Sequence, residues 1–351
     1  MNLLKKINIK GYKSIKESEV EFGGINIFIG GNGAGKSNLI SFFEMVQKIR
    51  QKELQNFVAE QGGANLLLHN GRKATDSISF DIYRGDLMFY GRLKGKASDN
   101  LYFAQQGLYN CHLQHNIYAA EGQNELADVM DTDVYKVLDD IGVYHFHDTS
   151  KSSPLKTACR LNDNVELASD GRNVPAILYR IKENNPEVYQ RIVSEIRMAA
   201  PYFQDFLLRP NPLNLKMIDL EWYKYGCEVP FGAEQLSDGT LRFICLVLLL
   251  CLPEEMQKDI IVIDEPELGL HPFAVTIVTE LMKKYAHHGQ VIAATQSVDF
   301  INEFEPEDVV VAENKEGDST FIRPNKEKLS DWLEDYSLGE LWKKNVIGGR
   351  P

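Results

Sequence analysis

Apolar and polar residues alternate along several stretches of the first hundred residues, and this alternation predicts strands with one buried face. The alternating segments are residues 5–9, 18–22, 79–83 and 87–93. Turns rich in glycine and polar residues separate neighbouring segments, which is typical of antiparallel strands. We therefore predict an antiparallel region in the N-terminal part of the chain.

The last third of the chain alternates short apolar runs with helical periodicity. It predicts strands at residues 260–263, 291–294 and 309–313, and helices at 240–251 and 272–286. Strands and helices in succession imply parallel strands joined by crossover helices. An apolar strand at 25–29, followed by a helix at about 36–52, repeats this pattern near the other end. We predict one α/β sheet built from both ends of the chain.

The middle of the chain has a different pattern. It predicts helices at residues 125–140, 174–182 and 186–200, a short strand at 142–146, an irregular polar connection at 149–172 and a strand-rich piece at 213–228. We therefore expect a helical lobe at 149–254, inserted into a core lobe formed by residues 1–148 and 255–351. Together the two lobes would form a single head.

Composition narrows the class of protein. Of 351 residues, 44% are hydrophobic and 25% charged, as in an ordinary globular protein. The net charge of -12 argues against coating nucleic acid through bulk charge, although a local basic groove stays possible. Five cysteines without a CxxC pair, and no recognisable signal peptide, favour a cytoplasmic protein. The most apolar run, residues 243–252, is about half of a membrane span and predicts a buried helix.

The strongest chemical motif is a glycine-rich loop between the apolar strand at 25–29 and the helix that follows. Its residues match G-x-x-x-x-G-K-[ST] at every fixed position. In this motif main-chain N–H groups bind phosphate, Lys36 reaches the β- and γ-phosphates, and the Ser37 hydroxyl binds Mg²⁺. The candidate nucleotide-binding residues here are Gly30, Gly31, Asn32, Gly33, Ala34, Gly35, Lys36, Ser37 and Asn38.

A second motif is the acidic end of the strand at 260–263. Its four apolar residues are followed by Asp264 and Glu265. A buried parallel strand delivers its C-terminal residues to the ligand-binding edge of the sheet. We expect Asp264 to hold Mg²⁺, and Glu265 to orient and deprotonate the attacking water.

A third motif is the turn Leu236-Ser237-Asp238-Gly239-Thr240, which precedes the most apolar helix. In one interpretation Ser237 or Asp238 only caps that helix. In the other, this second helix N-terminus is an anion site that binds the γ-phosphate of a nucleotide held by another subunit.

These motifs and their order resemble the ABC-type ATPases of the SMC, RecF and OLD branch. The resemblance also rests on Gly11–Ile15, on Pro266–Pro272, on residues 144–150 and on the ending at 338–351. It implies an ABC-type P-loop head with a mixed central sheet and a helical lobe that carries the signature turn. It also implies ATP sandwiched between two heads, with Ser237 and Gly239 acting in trans and residues 267–271 crossing the dimer interface.

By the same resemblance, Lys13 and Ser14 are nucleotide-binding candidates, and Gln296 occupies the switch position that is commonly histidine. A glutamine can bond to the γ-phosphate but cannot carry charge, so we expect slow hydrolysis. Asp238 also departs from the pattern, which has glycine there, and a carboxylate would repel phosphate unless it points away. The glutamine that senses Mg²⁺ stays open between Gln61 and Gln105.

Two functions follow from the resemblance. The first is an ATP-dependent switch that controls a separately encoded partner, for example a nuclease in bacterial anti-phage defence. The alternative is a RecF-like protein that clamps DNA during repair. The separation of 200 positions between Ser37 and Ser237, and the absence of an LSGGQ-type turn, argue against the ATPase subunit of a transporter.

Overall fold

The computed structural model describes residues 3–127 and 137–350. The helix predicted at 125–140 falls largely outside these residues. Contacts divide the chain into two compact units. The first contains residues 1–143, 259–264 and 289–351, and the second contains residues 144–258 and 265–288.

The first unit contains a six-stranded antiparallel sheet, as the alternating pattern predicts. Its strand order is β2-β1-β4-β5-β6-β7. The strands are β1 (Leu4–Tyr12), β2 (Ile15–Glu21), β4 (Ser77–Arg84), β5 (Leu87–Gly95), β6 (Leu101–Asn110) and β7 (His115–Ala120). Strands β6 and β7 extend the sheet beyond the predicted segments.

The other sheet of the first unit is mixed and joins both ends of the chain. Its order is β18-β17-β3-β16-β15-β8. The strands are β3 (Ile25–Ile29), β8 (Ile141–Tyr144), β15 (Ile260–Asp264), β16 (Gln290–Thr295), β17 (Val309–Lys315) and β18 (Asp318–Ile322). Strands β15, β16, β3 and β17 run parallel to one another, and β18 pairs antiparallel with β17. The prediction of one sheet assembled from distant segments is therefore confirmed.

The parallel strands are apolar because both of their faces are covered. Every residue of β16 is buried. The helices of this unit are α1 (Lys36–Arg50), α2 (Leu54–Glu60), α3 (Ala64–Leu67), α8 (Val298–Ile301), α9 (Lys326–Leu333) and α10 (Leu338–Lys343). The buried Gln290 side chain links the two sheets, since it donates to the Leu4 and Gly23 carbonyl groups and accepts from the Leu4 N–H.

The second unit is mainly helical. Its helices are α4 (Val174–Asn184), α5 (Pro186–Ala199), α6 (Asp238–Leu250) and α7 (Pro272–Tyr285). Two small sheets have the orders β10-β13-β14 and β11-β12-β9. Their strands are β9 (Cys159–Arg160), β10 (Phe203–Leu207), β11 (Pro210–Asn211), β12 (Asn214–Ile218), β13 (Glu221–Lys224) and β14 (Phe231–Gly232).

Helix α6 is buried along nearly its whole length, as its composition predicts. Strand β9 was not predicted, because it lies in the polar stretch taken as an irregular connection. Across residues 3–127 and 137–350, no helix combines the length and the apolar character that a membrane span requires.

Candidate nucleotide-binding site

The glycine-rich loop of the first unit depends on glycine for two reasons. Gly33 and Gly35 have φ angles of 78° and 105°, in the left-handed region that residues with a side chain rarely adopt. A β-carbon at Gly35 would also overlap the side chain of Ser319, and one at Gly30 would overlap the Ala312 carbonyl oxygen. The loop is therefore packed directly against β17 and β18, which fixes its curvature.

Lys36 is the first residue of α1 and is only 6% exposed. Its Nζ donates to the carbonyl oxygens of Gly30 and Gly31, at 2.6 Å and 3.2 Å. The ammonium group is thus held over the loop, at a helix N-terminus whose first turn has no acidic residue. Ser37 follows it and is exposed. A positive side chain and a helix N-terminus at one point make an anion-binding site.

A cavity of about 150 Å³ lies directly against this loop. It is lined by residues 32–38 and by Gln296. The neighbouring strands explain this arrangement: Ile29 of β3 is paired with Thr295 of β16, so the segments after both strands leave the sheet side by side. The structure therefore brings Gln296 to the loop, although the two are distant in sequence.

The turn between β1 and β2 lies beside the start of α1. The Asn38 Nδ2 donates to the Ser14 Oγ at 2.6 Å, and the Ser14 Oγ is 2.7 Å from the Ser319 Oγ. Lys13 has a left-handed φ of 46°, and its Nζ donates to the Ser41 Oγ and to the Gln61 Oε1. Burial lowers the pKa of the Lys13 ammonium.

The two candidate Mg²⁺-sensing glutamines lie in different places. Gln61 bonds to Lys13 at 2.9 Å. Gln105 lies on β6, which β4 and β5 separate from β1, and donates to Glu121. Of the two, Gln61 is therefore the one beside the β1–β2 turn.

Asp264 ends β15 and is paired with Ala294 of β16. It is half-buried, two strands away from the strand that enters the loop. Glu265 follows it with a φ of 42°, a conformation that costs a residue with a side chain about 1–3 kcal/mol. Strained residues of this kind cluster at functional sites, so the backbone of Glu265 is consistent with its prediction as a catalytic residue.

The signature turn belongs to the second unit, where it begins α6. The Ser237 Oγ accepts from the Thr240 N–H at 3.1 Å and is therefore the N-cap. Asp238 is instead the first helical residue, so the suggestion that it caps its own helix is wrong. Its Oδ1 accepts from the Lys156 Nζ at 3.1 Å, and this hydrogen bond lowers the pKa of the Asp238 carboxyl group. A cation thus neutralises the unusual carboxylate of this turn.

Close packing of two loops explains Gly239. A β-carbon on Gly239 would overlap the carbonyl oxygen of Gly269 and lie 3.2 Å from its carbonyl carbon. Nearby, the Arg242 guanidinium donates to the carbonyl oxygens of Phe146, His147 and Leu268, at 3.2, 2.8 and 3.2 Å. Arg242 therefore ties α6 to two segments that are distant in sequence.

Sequence reasoning identified the loop, the strand end and the turn, but it missed Lys156, Arg242 and Ser319. Basic and hydroxyl residues are common on surfaces, and none of these three lies in a motif of its own.

The segment at 144–150 contains two histidines with ring centroids 6.2 Å apart. Within the described ranges, however, no group of three or more potential ligands could hold a metal ion.

One known family matches the middle of the chain. Residues 110–302, more than half of the chain, match the family model described as AAA domain, putative AbiEii toxin, Type IV TA system. No curated protein matches the sequence.

Two solved structures are similar in fold. One is an SMC head bound to the C-winged helix domain of ScpA, with 15% identity and a TM-score of 0.58, covering 94% of this chain and 99% of that chain. The other is the Smc head domain with an extended coiled coil bound to the C-terminal domain of ScpA from Pyrococcus furiosus, with 15% identity and a TM-score of 0.57, covering 95% and 99%. The chain therefore belongs to the AAA domain family named above, and its fold is the ABC-type ATPase fold of SMC heads.

Proposed function

We propose that this chain is an ATP-binding and ATP-hydrolysing switch that forms an ATP-sandwiched homodimer and controls a separately encoded partner. The observation that carries the proposal is a pair of helix N-termini, each built for an anion. One begins α1, with Lys36 over the glycine-rich loop. The other begins α6, with Ser237 as its cap and the Asp238 carboxylate neutralised by Lys156.

The residues of the first unit fit ATP and Mg²⁺. A cavity of about 150 Å³ lies against the glycine-rich loop, and the N–H groups of the loop suit phosphate oxygens. The Ser37 hydroxyl and the Asp264 carboxylate are oxygen ligands of the kind that Mg²⁺ prefers. When bound, Mg²⁺ neutralises developing charge on the phosphate groups.

Hydrolysis in this scheme depends on two side chains near the end of the sheet. Glu265 orients the attacking water and accepts its proton, and Gln296 forms a hydrogen bond to the water or to the γ-phosphate. Because an amide carries no charge, turnover is slow. Ser237 and Gly239 of one copy bind the γ-phosphate held by the other copy, so closure of the dimer completes the site.

Two comparisons support a partner protein. The family description names a toxin of a toxin–antitoxin system, which is by nature encoded with a second component. The two SMC heads of similar fold were solved with parts of ScpA bound. We propose a nuclease effector in anti-phage defence as the partner. Salt-dependent binding of duplex DNA that appears only with ATP would instead indicate the RecF-like alternative.

The direct test of the site is Lys36→Ala, with Lys10→Ala as a matched control from the exposed face of β1. Titration with a fluorescent ATP analogue should show a loss of affinity of ~100-fold or more for Lys36→Ala, because a charge-assisted contact to phosphate is removed. Lys10→Ala should bind like the wild type. Equal affinity in all three proteins would show that the loop is not the nucleotide site.

A further inference from the structure

The second unit contains a large groove that the nucleotide chemistry does not use. Its volume is about 960 Å³. It is lined by Arg160, Leu161, Asn162 and Asn164, by residues 214–217 of β12, which pairs with β9, and by Tyr179 of α4. This volume is at the upper end of the range for ligand pockets, and it is open enough for a short peptide segment.

Hydrogen bonds hold the segments that line the groove in place. The Leu161 N–H donates to the Lys216 carbonyl at 2.8 Å, and the Asn164 carbonyl accepts from Arg180 at 2.9 Å. The segment that follows β9 is held by Asn173, which is fully buried and donates to the carbonyl groups of Asp163 and Glu166. Its side-chain oxygen also accepts from the Ala168 N–H. The groove is thus preformed, which lowers the entropic cost of binding.

The charge of the groove is opposite to that of the whole chain. Arg160 and Lys216 line it, and none of the described lining residues is acidic. The acidic residues nearest in sequence have other partners: Asp163 accepts from Asn173, Asp219 accepts from Asn211 at 2.6 Å, and Glu166 pairs with Lys258 at 2.5 Å. On a chain with a net charge of -12, this is a local positive site.

Exposed apolar side chains lie within the lining segments or next to them in sequence. Leu213 is 97% exposed at the β11–β12 turn, and Leu215 of β12 is 71% exposed. Val165, which follows the lining residue Asn164 in sequence, is 72% exposed. Aliphatic side chains next to cations suit a protein segment better than nucleic acid, because a nucleic-acid backbone offers no apolar surface to match them.

We propose that this groove is a docking site for an acidic peptide segment of a partner protein, one that carries leucine or phenylalanine between aspartate or glutamate residues. The carboxylates would pair with Arg160 and Lys216, and the apolar side chains would cover Leu213 and Leu215. The docking site gives the partner of the proposed switch a binding surface, and its biological meaning rests on that function. Its chemistry can be tested separately.

The test starts with the full-length protein and a displayed library of random peptides of about 12 residues, a length typical of groove-binding segments. Enriched peptides are synthesised with a fluorophore and titrated by fluorescence polarisation. We expect the enriched sequences to share acidic residues flanking a large apolar one, and their binding to weaken as salt rises. Enrichment of basic or neutral sequences, or of none above a blank surface, would overturn the proposal.

Matched variants then locate the binding. Lys216→Glu should weaken the selected peptide ~10-fold through charge reversal, whereas Lys151→Glu, the same change at an exposed site of the same unit, should stay within about twofold of the wild type. Leu215→Ser should weaken it ~5-fold, and Leu113→Ser, which removes a similarly exposed leucine from the first unit, should not. Unchanged affinity in Lys216→Glu or Leu215→Ser would overturn the proposal.

Two further measurements separate other occupants and the proposed function. Binding of a DNA oligonucleotide that Lys216→Glu abolishes would show a nucleic-acid site, and self-association that the same variant abolishes would show a contact between copies. Either result would contradict the peptide site. Lys36→Ala should retain peptide binding, so failure of the ATP site and failure of the groove give different results.

Discussion

Lys156 neutralises Asp238 at the start of α6, and Lys156→Met tests what this cation does. Methionine keeps most of the length and apolar contact of lysine, and it removes the charge together with the hydrogen bonds to Asp238 and to the Thr149 carbonyl. The Lys156 side chain is 10% exposed and that of Asp238 is 59% exposed. An ion pair this open to solvent contributes about 0.2–1 kcal/mol to folding. We therefore expect Lys156→Met to fold normally.

The effect on the nucleotide-sandwiched dimer should be larger. The Asp238 carboxyl group is exposed and is ionised at neutral pH, and Lys156 lowers its pKa further. In the proposed dimer, the carboxylate would then face the γ-phosphate of the partner copy without a neutralising cation. At a separation of about 7 Å and an effective dielectric constant of about 40, the repulsion is about 1 kcal/mol for each unit of phosphate charge. The dimer should therefore weaken roughly 5- to 10-fold or more.

The assay is ATP-dependent dimerisation measured by analytical ultracentrifugation, in a Glu265→Gln background that retains the nucleotide. Lys156→Met should weaken the dimer, and Lys156→Met combined with Asp238→Asn should recover it, because the repelling charge is then absent. Lys151→Met is the control for loss of a nearby surface charge. A double variant as weak as Lys156→Met alone would refute the role of charge neutralisation.

Three other substitutions test the remaining contacts. Gly239→Ala should destabilise the second unit by about 1–3 kcal/mol in urea denaturation, because its β-carbon overlaps the Gly269 carbonyl. Gly23→Ala is the control, since its β-carbon would lie 3.7 Å from the nearest atom and should not reduce stability. Equal stability of the two variants would contradict the packing argument. Arg242→Met should lower the free energy of unfolding by about 1–3 kcal/mol, because three carbonyl groups lose their donor. It should also reduce ATP turnover without reducing ATP affinity, because α6 is no longer held to its neighbouring segments; turnover at the wild-type rate would show that Arg242 does not position α6 for hydrolysis. Gln296→His should raise the turnover number ~10-fold by restoring a side chain that can carry charge. Unchanged turnover would show that residue 296 does not act at the switch position.

Much of the first unit could be predicted from local patterns. Residues 30–37 combine glycine, lysine and serine in a spacing that only a phosphate-binding loop requires, and the flanking strand and helix supply its context. The apolar strands of the central sheet are recognisable because strands covered on both faces are continuously apolar. That both chain ends contribute to one sheet followed from the position of the motifs, whereas the order of the strands was not predicted.

The contacts that complete the candidate site could not be predicted in this way. Lys156 meets Asp238 across 82 residues of sequence, and Ser319 meets Ser14 across 305. Neither serine nor lysine carries a pattern that indicates such a partner. The N-cap was ambiguous for a related reason, because Ser237 and Asp238 both suit that position and only the backbone geometry distinguishes them.

The helical elements show the same limit. Helix α10 at residues 338–343 is short, and its periodicity is too brief to detect, although Trp342 and Leu341 are fully buried. Strand β9 has two residues and exists only because β12 pairs with it. Elements of this kind depend on tertiary contacts more than on local preference.

The central claim is that ATP joins two copies of this chain. Light scattering of Glu265→Gln, with ATP and Mg²⁺ and without them, tests it most directly. The account predicts that the molar mass doubles when ATP is present, and that Ser237→Arg in the same background stays at the monomer mass while still binding ATP. A Glu265→Gln protein that binds ATP and keeps the same mass with and without it would contradict the account.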